Sequence, residues 1–244
     1  MRKITSVHSI QQSIQRSILS KLPKIQSRQI TDFIIKTDTL NYNEIRRDIL
    51  KDEPVPKFYW NYFIPFIDYR SFNYGTNARK VLTSINAGGN SIISEAVSAE
   101  IMSRMFSAES IRTEMEIEYL FSNWKIADFT VKMFNKNVGI SVTRAANYKN
   151  IFSLSDADIL LRKKIVGLVL ARNGTSDKDS WQTSILHILA QESRIKNLLH
   201  KAYKRLPSEL KDNIIILCTV TGTSDYIYKN LKKGEIEELI DKFS

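Results

Sequence analysis

The chain has 244 residues, of which 43% are apolar and 25% are charged, values that suit one globular domain with a sizeable core. No run of residues approaches the roughly 20 consecutive apolar positions that a membrane-spanning helix needs. Cys218 is the single cysteine, which excludes a disulfide within the chain and a zinc site built from several of its cysteines. Because the chain has 3 histidines, a metal site would depend mainly on carboxylates, and this favours magnesium or manganese.

The first 31 residues form a basic N-terminal segment without a single acidic side chain. Most of the net charge of +10 comes from this segment, so the remainder of the chain is only mildly basic. Apolar residues recur at spacings of three and four, which predicts an amphipathic helix over Ile4, Val7, Ile10, Ile14 and Ile18. Such a segment is similar to a mitochondrial targeting sequence. A helix packed on the domain and a basic arm resting on phosphates are the alternatives.

Residues 32–80 are predicted to be a helical and aromatic extension of the domain. Many aromatic side chains lie between Phe58 and Tyr74, next to Pro54, Pro56 and Pro65. Aromatic rings can stack on unpaired bases, and the segment is also a candidate contact for a protein partner. The favoured interpretation is an irregular segment that packs onto the domain.

Residues 81–244 are predicted to alternate helices and strands. The first helix covers residues 91–106 and is apolar nearly all round, as in a helix buried on most sides. A three-stranded meander follows, over residues 114–119, 125–133 and 138–143. The later elements are a helix from Ser155 to about Val166, a short strand over 168–171, a long helix over 181–205, a strand over 213–220 and a helical tail over 224–243. This order predicts a mixed sheet flanked by helices.

Three acidic residues are candidates for chemistry. Asp128 lies inside a predicted strand, where a carboxylate is disfavoured unless it has a partner or a metal. Glu95 and Glu100 lie on the apolar helix, and buried carboxylates are costly unless they are paired, protonated or bound to metal. The alternative for each residue is a position that faces solvent.

Lys164 is the candidate cation of the same site. With about 100° of rotation per helical residue, it projects from the middle of an apolar stripe that includes Leu161 and Ile165. A lysine directed into apolar surroundings needs a negative partner or loses its proton, although its stem can also carry the charge to the surface. Lys163 points elsewhere and adds positive charge towards solvent.

The segment Gly139–Arg144 is a strand with one face of small or polar side chains. Ser141 and Thr143 share the face of Gly139, opposite Ile140 and Val142. Such a row indicates an opening in the fold or a face turned to solvent. Arg144 at the strand end can grip a phosphate or pair with a carboxylate.

A basic run without intervening acidic residues follows in the predicted long helix. It is a candidate surface for phosphate contacts, and the alternative is an ordinary solvated helix face. The run consists of Arg194, Lys196, Lys201, Lys204 and Arg205.

A helix with an acid, a hairpin with Asp128 in its first arm and a following basic helix resemble the PD-(D/E)XK nuclease superfamily. The strand Gly139–Ala145 and the sequence Leu160–Lys164 resemble a eukaryotic branch of it, and the likeness covers about residues 80–230. The resemblance implies an α/β restriction-endonuclease-like fold in which Asp128 and Glu95 or Glu100 hold one or two divalent ions. Lys164 would assist the attacking water.

The third strand departs from the superfamily pattern. Typical members carry Glu or Gln, any residue and then Lys there, whereas the candidate positions in this chain are Gly139, Ser141 and Thr143. None of the three is a good magnesium ligand or a proton donor comparable to lysine. We assign Ser141 and Thr143 to the catalytic site with Lys164 and Asp128. The second strand acid has no substitute except Glu114 or Glu116 of the neighbouring predicted strand.

Three functions are therefore open. The first is a magnesium- or manganese-dependent nuclease acting on DNA or RNA. The second is a catalytically inactive relative that binds nucleic acid, through Arg144, Lys163, Arg194, Lys201 and Lys204, or that serves in organellar assembly. The third is a structural partner that uses the basic N-terminal segment and the aromatic segment 58–74.

Overall fold

The structure is a computed structural model that describes residues 32–51, 56–84, 91–148, 150–211, 213–222 and 224–243. The predicted amphipathic helix and targeting segment of residues 1–31 lie outside these ranges. In the part of the chain that the structure describes, none of the helices combines the length and the apolar character needed to cross a membrane.

A seven-stranded mixed sheet forms the centre of the fold. In chain order its strands are β1 (Phe33–Lys36), β2 (Lys57–Pro65), β3 (Glu109–Thr113), β4 (Phe129–Met133), β5 (Lys136–Ala145), β6 (Thr183–Ala190) and β7 (Ile214–Val220). Their order across the sheet is β1-β2-β7-β6-β5-β4-β3. Strands β2, β7, β6 and β5 run parallel to one another, and β1, β4 and β3 pair antiparallel to their neighbours.

Helices cover both faces of this sheet. They are α1 (Thr39–Leu50), α2 (Thr76–Thr83), α3 (Ile92–Phe106), α4 (Leu154–Asn173), α5 (Ser193–Arg205) and α6 (Lys233–Phe243). Side chains of α1, α2, α3 and α6 share one apolar core with one face, and those of α4 and α5 share a second core with the other. The prediction of an α/β domain with a mixed sheet flanked by helices is confirmed.

The aromatic segment proved to be part of the sheet. Residues 57–65 form β2, in which Tyr59 and Phe63 enter the core beneath α1 while Phe58 enters the core beneath α5. Alternating large side chains serve both cores at once, as expected of a strand covered on both faces. The interpretation of this segment as irregular was therefore wrong for residues 57–65. Residues 66–74 contain no strand, and Tyr69, Phe72 and Tyr74 pack into the core as expected.

The predicted long helix over 181–205 was also wrong in its first half. Residues Thr183–Ala190 form β6, and all eight of them are buried. A continuous apolar run fits a buried parallel strand as well as a buried helix, so periodicity could not separate the two. The helix α5 begins only at Ser193.

Helix α4 begins earlier and ends later than predicted. Ser153, not Ser155, is its N-cap, and Asp156 closes a reciprocal capping box with it. The helix passes through Gly167 to Asn173, because Leu168 and Ala171 continue the buried stripe against the sheet. The predicted strand over 168–171 therefore does not form.

The meander is shifted from its predicted position. Strand β3 ends at Thr113, and residues 114–116 form a turn where a strand was predicted. The carboxylate of Glu116 accepts the Thr113 backbone N–H at 2.8 Å, which closes the turn. The alternating pattern of residues 114–119 was thus misread as a strand.

The sheet has a gap on one side of β5. The last aligned pair between β4 and β5 is Phe129 with Ile140, whereas β5 continues beside β6 to Ala145. Residues 141–145 of β5 therefore extend past β4, and we call them the open edge of β5. Side chains from both faces of the sheet can meet there.

Candidate active site

Asp128 closes the start of the open edge. It directly precedes β4, and its backbone N–H donates to the carbonyl of Ile140 at 3.0 Å. The Oδ2 atom accepts a hydrogen bond of 3.0 Å from the Ser141 hydroxyl and another from the Val142 backbone N–H. The carboxylate of Asp128 thus lies beside β5 where the next residue of β4 would otherwise pair with it.

Lys164 reaches the same edge from α4. Its Nζ donates to the carbonyl oxygen of Val142 at 3.4 Å. Both backbone groups of Val142 are therefore bonded to charged side chains instead of to a neighbouring strand. The positive charge of Lys164 also acts on Asp128, where it opposes the rise in pKa that burial causes.

Glu95 approaches from the opposite face of the sheet. It lies in the first turn of α3, is 8% exposed, and accepts a hydrogen bond from the Ser91 hydroxyl. Burial, and after it the negative charge of Asp128, raise the pKa of Glu95 to about 7. The charge of Glu114 acts in the same direction, and that of Lys164 opposes it. Acids from two elements and a lysine from a third therefore share one electrostatic site.

The pKa of Asp128 is also raised. Burial is the largest cause, and it outweighs the charge of Lys164 and the hydrogen bonds from Val142 and Ser141. Burial raises the pKa of both carboxylates, and the charge of Asp128 raises that of Glu95 further, so a proton or a cation near the two stabilises them. The site is therefore suited to hold positive charge.

The carboxylates of this site suit a hard divalent ion. Within the described ranges, no group of three or more His, Cys, Asp or Glu side chains is arranged to hold a metal. Magnesium is usually bound through one or two carboxylates, with water and substrate phosphate completing its shell. Glu95 and Asp128 are two carboxylates of this kind, so the donor chemistry is that of magnesium or manganese, and binding of either ion stays a prediction.

Glu100, the other predicted ligand on α3, has a structural role. Its Oε1 accepts from Arg104 at 2.7 Å and its Oε2 accepts from the Gly75 backbone N–H at 2.8 Å. Arg104 in turn pairs with Asp32 at 3.1 Å. Five residues separate Glu100 from Glu95, which turns the two side chains about 140° apart on the helix. The carboxylate of Glu100 is therefore engaged by Arg104 and Gly75, and metal binding by Glu100 stays a prediction.

Of the two neighbouring acids, only Glu114 acts on the site. Glu116 pairs with Lys80 at 2.9 Å, and this ion pair contributes to lowering its pKa. Glu114 is the residue whose charge reaches Glu95. The turn at residues 114–116 separates the two side chains.

The two small polar side chains of β5, Ser141 and Thr143, also differ in their contact with Asp128. Ser141 positions Asp128 directly. Thr143 is buried two residues further along, and the hydrogen bonds that Asp128 accepts come from Ser141 and Val142 instead. A catalytic role for Thr143 stays a prediction.

Arg144 holds the chain that follows β7. It donates to the carbonyl oxygen of Lys229 at 3.2 Å and to Oδ1 of Asn230 at 2.9 Å. These bonds use part of the guanidinium, and the phosphate contact predicted for Arg144 stays a prediction.

Two adjoining clefts lie beside α4. The first has a volume of about 470 Å³ and reaches the site through Ser141 and Lys164. The second has a volume of about 510 Å³ and is lined by Arg144 and Tyr148. Lys163 lines both clefts, so they adjoin at this residue of α4. We call the two together the α4 groove.

The predicted basic run lies on α5. Arg194 donates to the carbonyl oxygen of Phe152 at 3.0 Å, and Lys196 lies over the ring of Trp60. Lys201 and Lys204 are exposed. Among the described residues that line the two clefts, none belongs to α5.

The sequence reasoning missed two features around the site. One is Ser91, whose signal was its position four residues before Glu95, one helical turn away. The other is the exposed loop with Phe121 and Trp124, which the assignment of strands to residues 114–119 and 125–133 obscured.

Comparisons with known proteins give one relative and no family. No family model matches the chain, and no solved structure matches it. The AAC-rich mRNA clone AAC4 protein of Dictyostelium discoideum is 30% identical over 200 residues, which cover 78% of this chain. The chain spans 29% of the length of that relative. The relative's name states no activity, substrate or partner.

Proposed function

We propose that this protein is a magnesium- or manganese-dependent nuclease of the PD-(D/E)XK type, which hydrolyses phosphodiester bonds in DNA or RNA. The observation that carries the proposal is that Asp128 and Lys164 bind the open edge of β5, and that the charges of both act on the buried Glu95. The mixed sheet with helices on both faces and the resemblance of strand Gly139–Ala145 support it.

In this proposal Glu95 and Asp128 hold one divalent ion. When bound, the ion supplies charge that activates water and stabilises the negative transition state. Ser141 and the Val142 N–H hold Asp128 by its Oδ2 atom, and Oδ1 takes part in neither bond. The protein therefore fixes the direction of the carboxylate before any ion arrives.

Lys164 orients the reactants. During hydrolysis the water oxygen bonds to phosphorus, one P–O ester bond breaks, and the water gives up a proton while the leaving oxygen gains one. The ammonium has three donors, of which one is directed to the Val142 carbonyl. The others can hold the attacking water or a phosphate oxygen, whose developing negative charge the ammonium stabilises.

The alternative is an inactive relative that binds nucleic acid or serves in organellar assembly. A specific observation favours it: β5 carries Gly139, Ser141 and Thr143 where Glu or Gln and then Lys are typical. No third acid joins Glu95 and Asp128 in a metal-holding group among the described residues. Such a protein would keep the groove and lack cleavage.

Incubation with labelled single- and double-stranded DNA and RNA separates these functions. We expect cleavage that requires Mg²⁺ or Mn²⁺, stops with EDTA, and falls by at least about 1,000-fold in Asp128→Asn and Glu95→Gln. Lys164→Ala is expected to lose about 100-fold.

Glu109→Gln is the control, because Glu109 is an exposed acid on β3 that lines neither cleft. Its activity should equal that of the wild type. Cleavage that persists in Asp128→Asn refutes the assigned site, and folded protein that cleaves none of the four substrates with either ion supports the inactive alternative.

A further inference from the structure

A pair of exposed aromatic rings lies on the loop that leads into Asp128. Phe121 is 57% exposed and Trp124 is 38% exposed, and their ring centroids are 5.1 Å apart. The Trp124 indole N–H donates to the carbonyl oxygen of Leu170 in α4 at 2.7 Å. The two rings line neither cleft, but Leu170, to which Trp124 is anchored, lines the first one, so the pair lies beside the α4 groove.

A second exposed ring lies in the other half of the groove. Tyr148 is 59% exposed and lines the second cleft together with Ile159, which is 61% exposed. The groove thus passes from Tyr148 to the first cleft, and the candidate active site lies at that cleft.

Exposed cations accompany these rings. Lys125 lines the first cleft, and Lys163 lines both. Arg162 also lines the first cleft, but its charge is engaged by Asp158 at 2.8 Å. In the second cleft, the acidic Asp156 is held in the capping box at the start of α4. Lys125 and Lys163 therefore supply positive charge with which the groove can bind a polyanion.

We propose that the α4 groove binds an unpaired nucleic-acid strand, with bases stacked on Phe121, Trp124 and Tyr148 and phosphates on Lys125 and Lys163. Base stacking on aromatic rings and phosphate contacts to lysines together characterise binding of single strands. The bases of a duplex are already stacked on one another, so a duplex cannot use the rings. This inference rests on the proposed function and specifies the form of its substrate.

The anisotropy of a fluorescent 20-nucleotide strand, measured with the full chain in EDTA, tests this inference without cleavage. We expect an unstructured DNA or RNA strand to bind at least about 10-fold more tightly than the matching duplex, with an affinity that falls steeply with salt. DNA and RNA strands run in parallel show whether the sugar matters. Equal affinity for strand and duplex overturns the proposal.

Variants locate the contact. Phe121→Ala and Tyr148→Ala should each weaken strand binding about 10-fold, and Lys163→Ala should lower both the affinity and its dependence on salt. Trp124→Phe should retain binding, which separates stacking from the anchoring bond to Leu170. The matched controls are Leu50→Ala, an exposed apolar residue of α1, and Lys36→Ala, an exposed lysine of β1.

The outcomes also separate this inference from the nuclease proposal. Asp128→Asn should keep the preference for a strand over a duplex, whether or not the protein cleaves. If the double variant Lys201→Ala/Lys204→Ala loses binding while Lys163→Ala keeps it, the strand lies on α5 and the groove is refuted. Normal strand binding by Phe121→Ala and Tyr148→Ala refutes stacking in the groove. It is also refuted if sedimentation shows that the protein self-associates through these exposed rings.

Discussion

The hydroxyl of Ser141 donates a hydrogen bond of 3.0 Å to Oδ2 of Asp128. This bond, together with the one from the Val142 N–H, fixes the carboxylate against the open edge of β5. We expect Ser141→Ala to lower cleavage about 10- to 100-fold, since supports of metal-binding groups have effects of that size. Ser141→Thr keeps a hydroxyl and should recover part of the loss. Kinetics at several Mg²⁺ concentrations would show a weaker apparent affinity for the ion, and unchanged metal dependence would contradict the role.

The raised pKa of Glu95 predicts a dependence of stability on pH. The folded protein keeps a proton on Glu95 up to about pH 7, whereas the unfolded chain releases it near 4.5. Between these values the folded state binds more protons, so the free energy of unfolding decreases as pH rises. Glu95→Gln removes this decrease and should stabilise the metal-free protein at pH 8 by at most about 3 kcal/mol.

Urea denaturation at pH 5, 6, 7 and 8 in EDTA measures this effect. Glu109→Gln is the control, because Glu109 is an exposed acid on β3. Adding Mg²⁺ at pH 8 should raise the wild-type free energy of unfolding by about 1.4 kcal/mol at ten times the dissociation constant. A wild type and Glu95→Gln with parallel pH curves would show that Glu95 titrates normally.

A buried histidine connects α3 to the sheet. The Ser98 hydroxyl lies 2.6 Å from Nδ1 of His187, and the Thr219 hydroxyl lies 2.7 Å from Nε2. Burial lowers the pKa of His187 to about 3, so the ring is neutral in the folded protein. Ser98→Ala leaves Nδ1 without its partner and should cost about 1 to 3 kcal/mol of stability. Chemical denaturation measures this loss, and Ser155→Ala is the control because Ser155 is an exposed serine of α4. Equal stability of the two variants would show that this hydrogen bond contributes nothing.

Two glycines give opposite predictions for the same substitution. A Cβ at Gly139 would overlap the indole of Trp181, which is buried in the core between the sheet and α4. Gly139→Ala should therefore destabilise the domain by about 1 to 3 kcal/mol. Gly167 lies inside α4 with open space around it, so Gly167→Ala should stabilise by about 0.5 to 1 kcal/mol. The melting temperatures of both variants test these predictions. A higher melting temperature for Gly139→Ala would mean that Trp181 can move aside.

Local patterns in the chain were enough to predict the α/β class and several elements. Helix α3, the hairpin of β4 and β5, and strand β7 follow from apolar periodicity and turn residues, which act within a few positions. The same patterns failed for β2 and β6. Central strands buried on both faces lose the polar alternation that distinguishes them.

Local sequence patterns could not predict which residues form the candidate site. Asp128 and Lys164 were recognisable as misplaced charges, but Glu95 and Glu100 looked alike on the same apolar helix. Folding placed Arg104 and Gly75 beside Glu100, and it placed Asp128 beside Glu95. Partners distant in sequence therefore determine which buried acid is paired with a cation and which has a raised pKa.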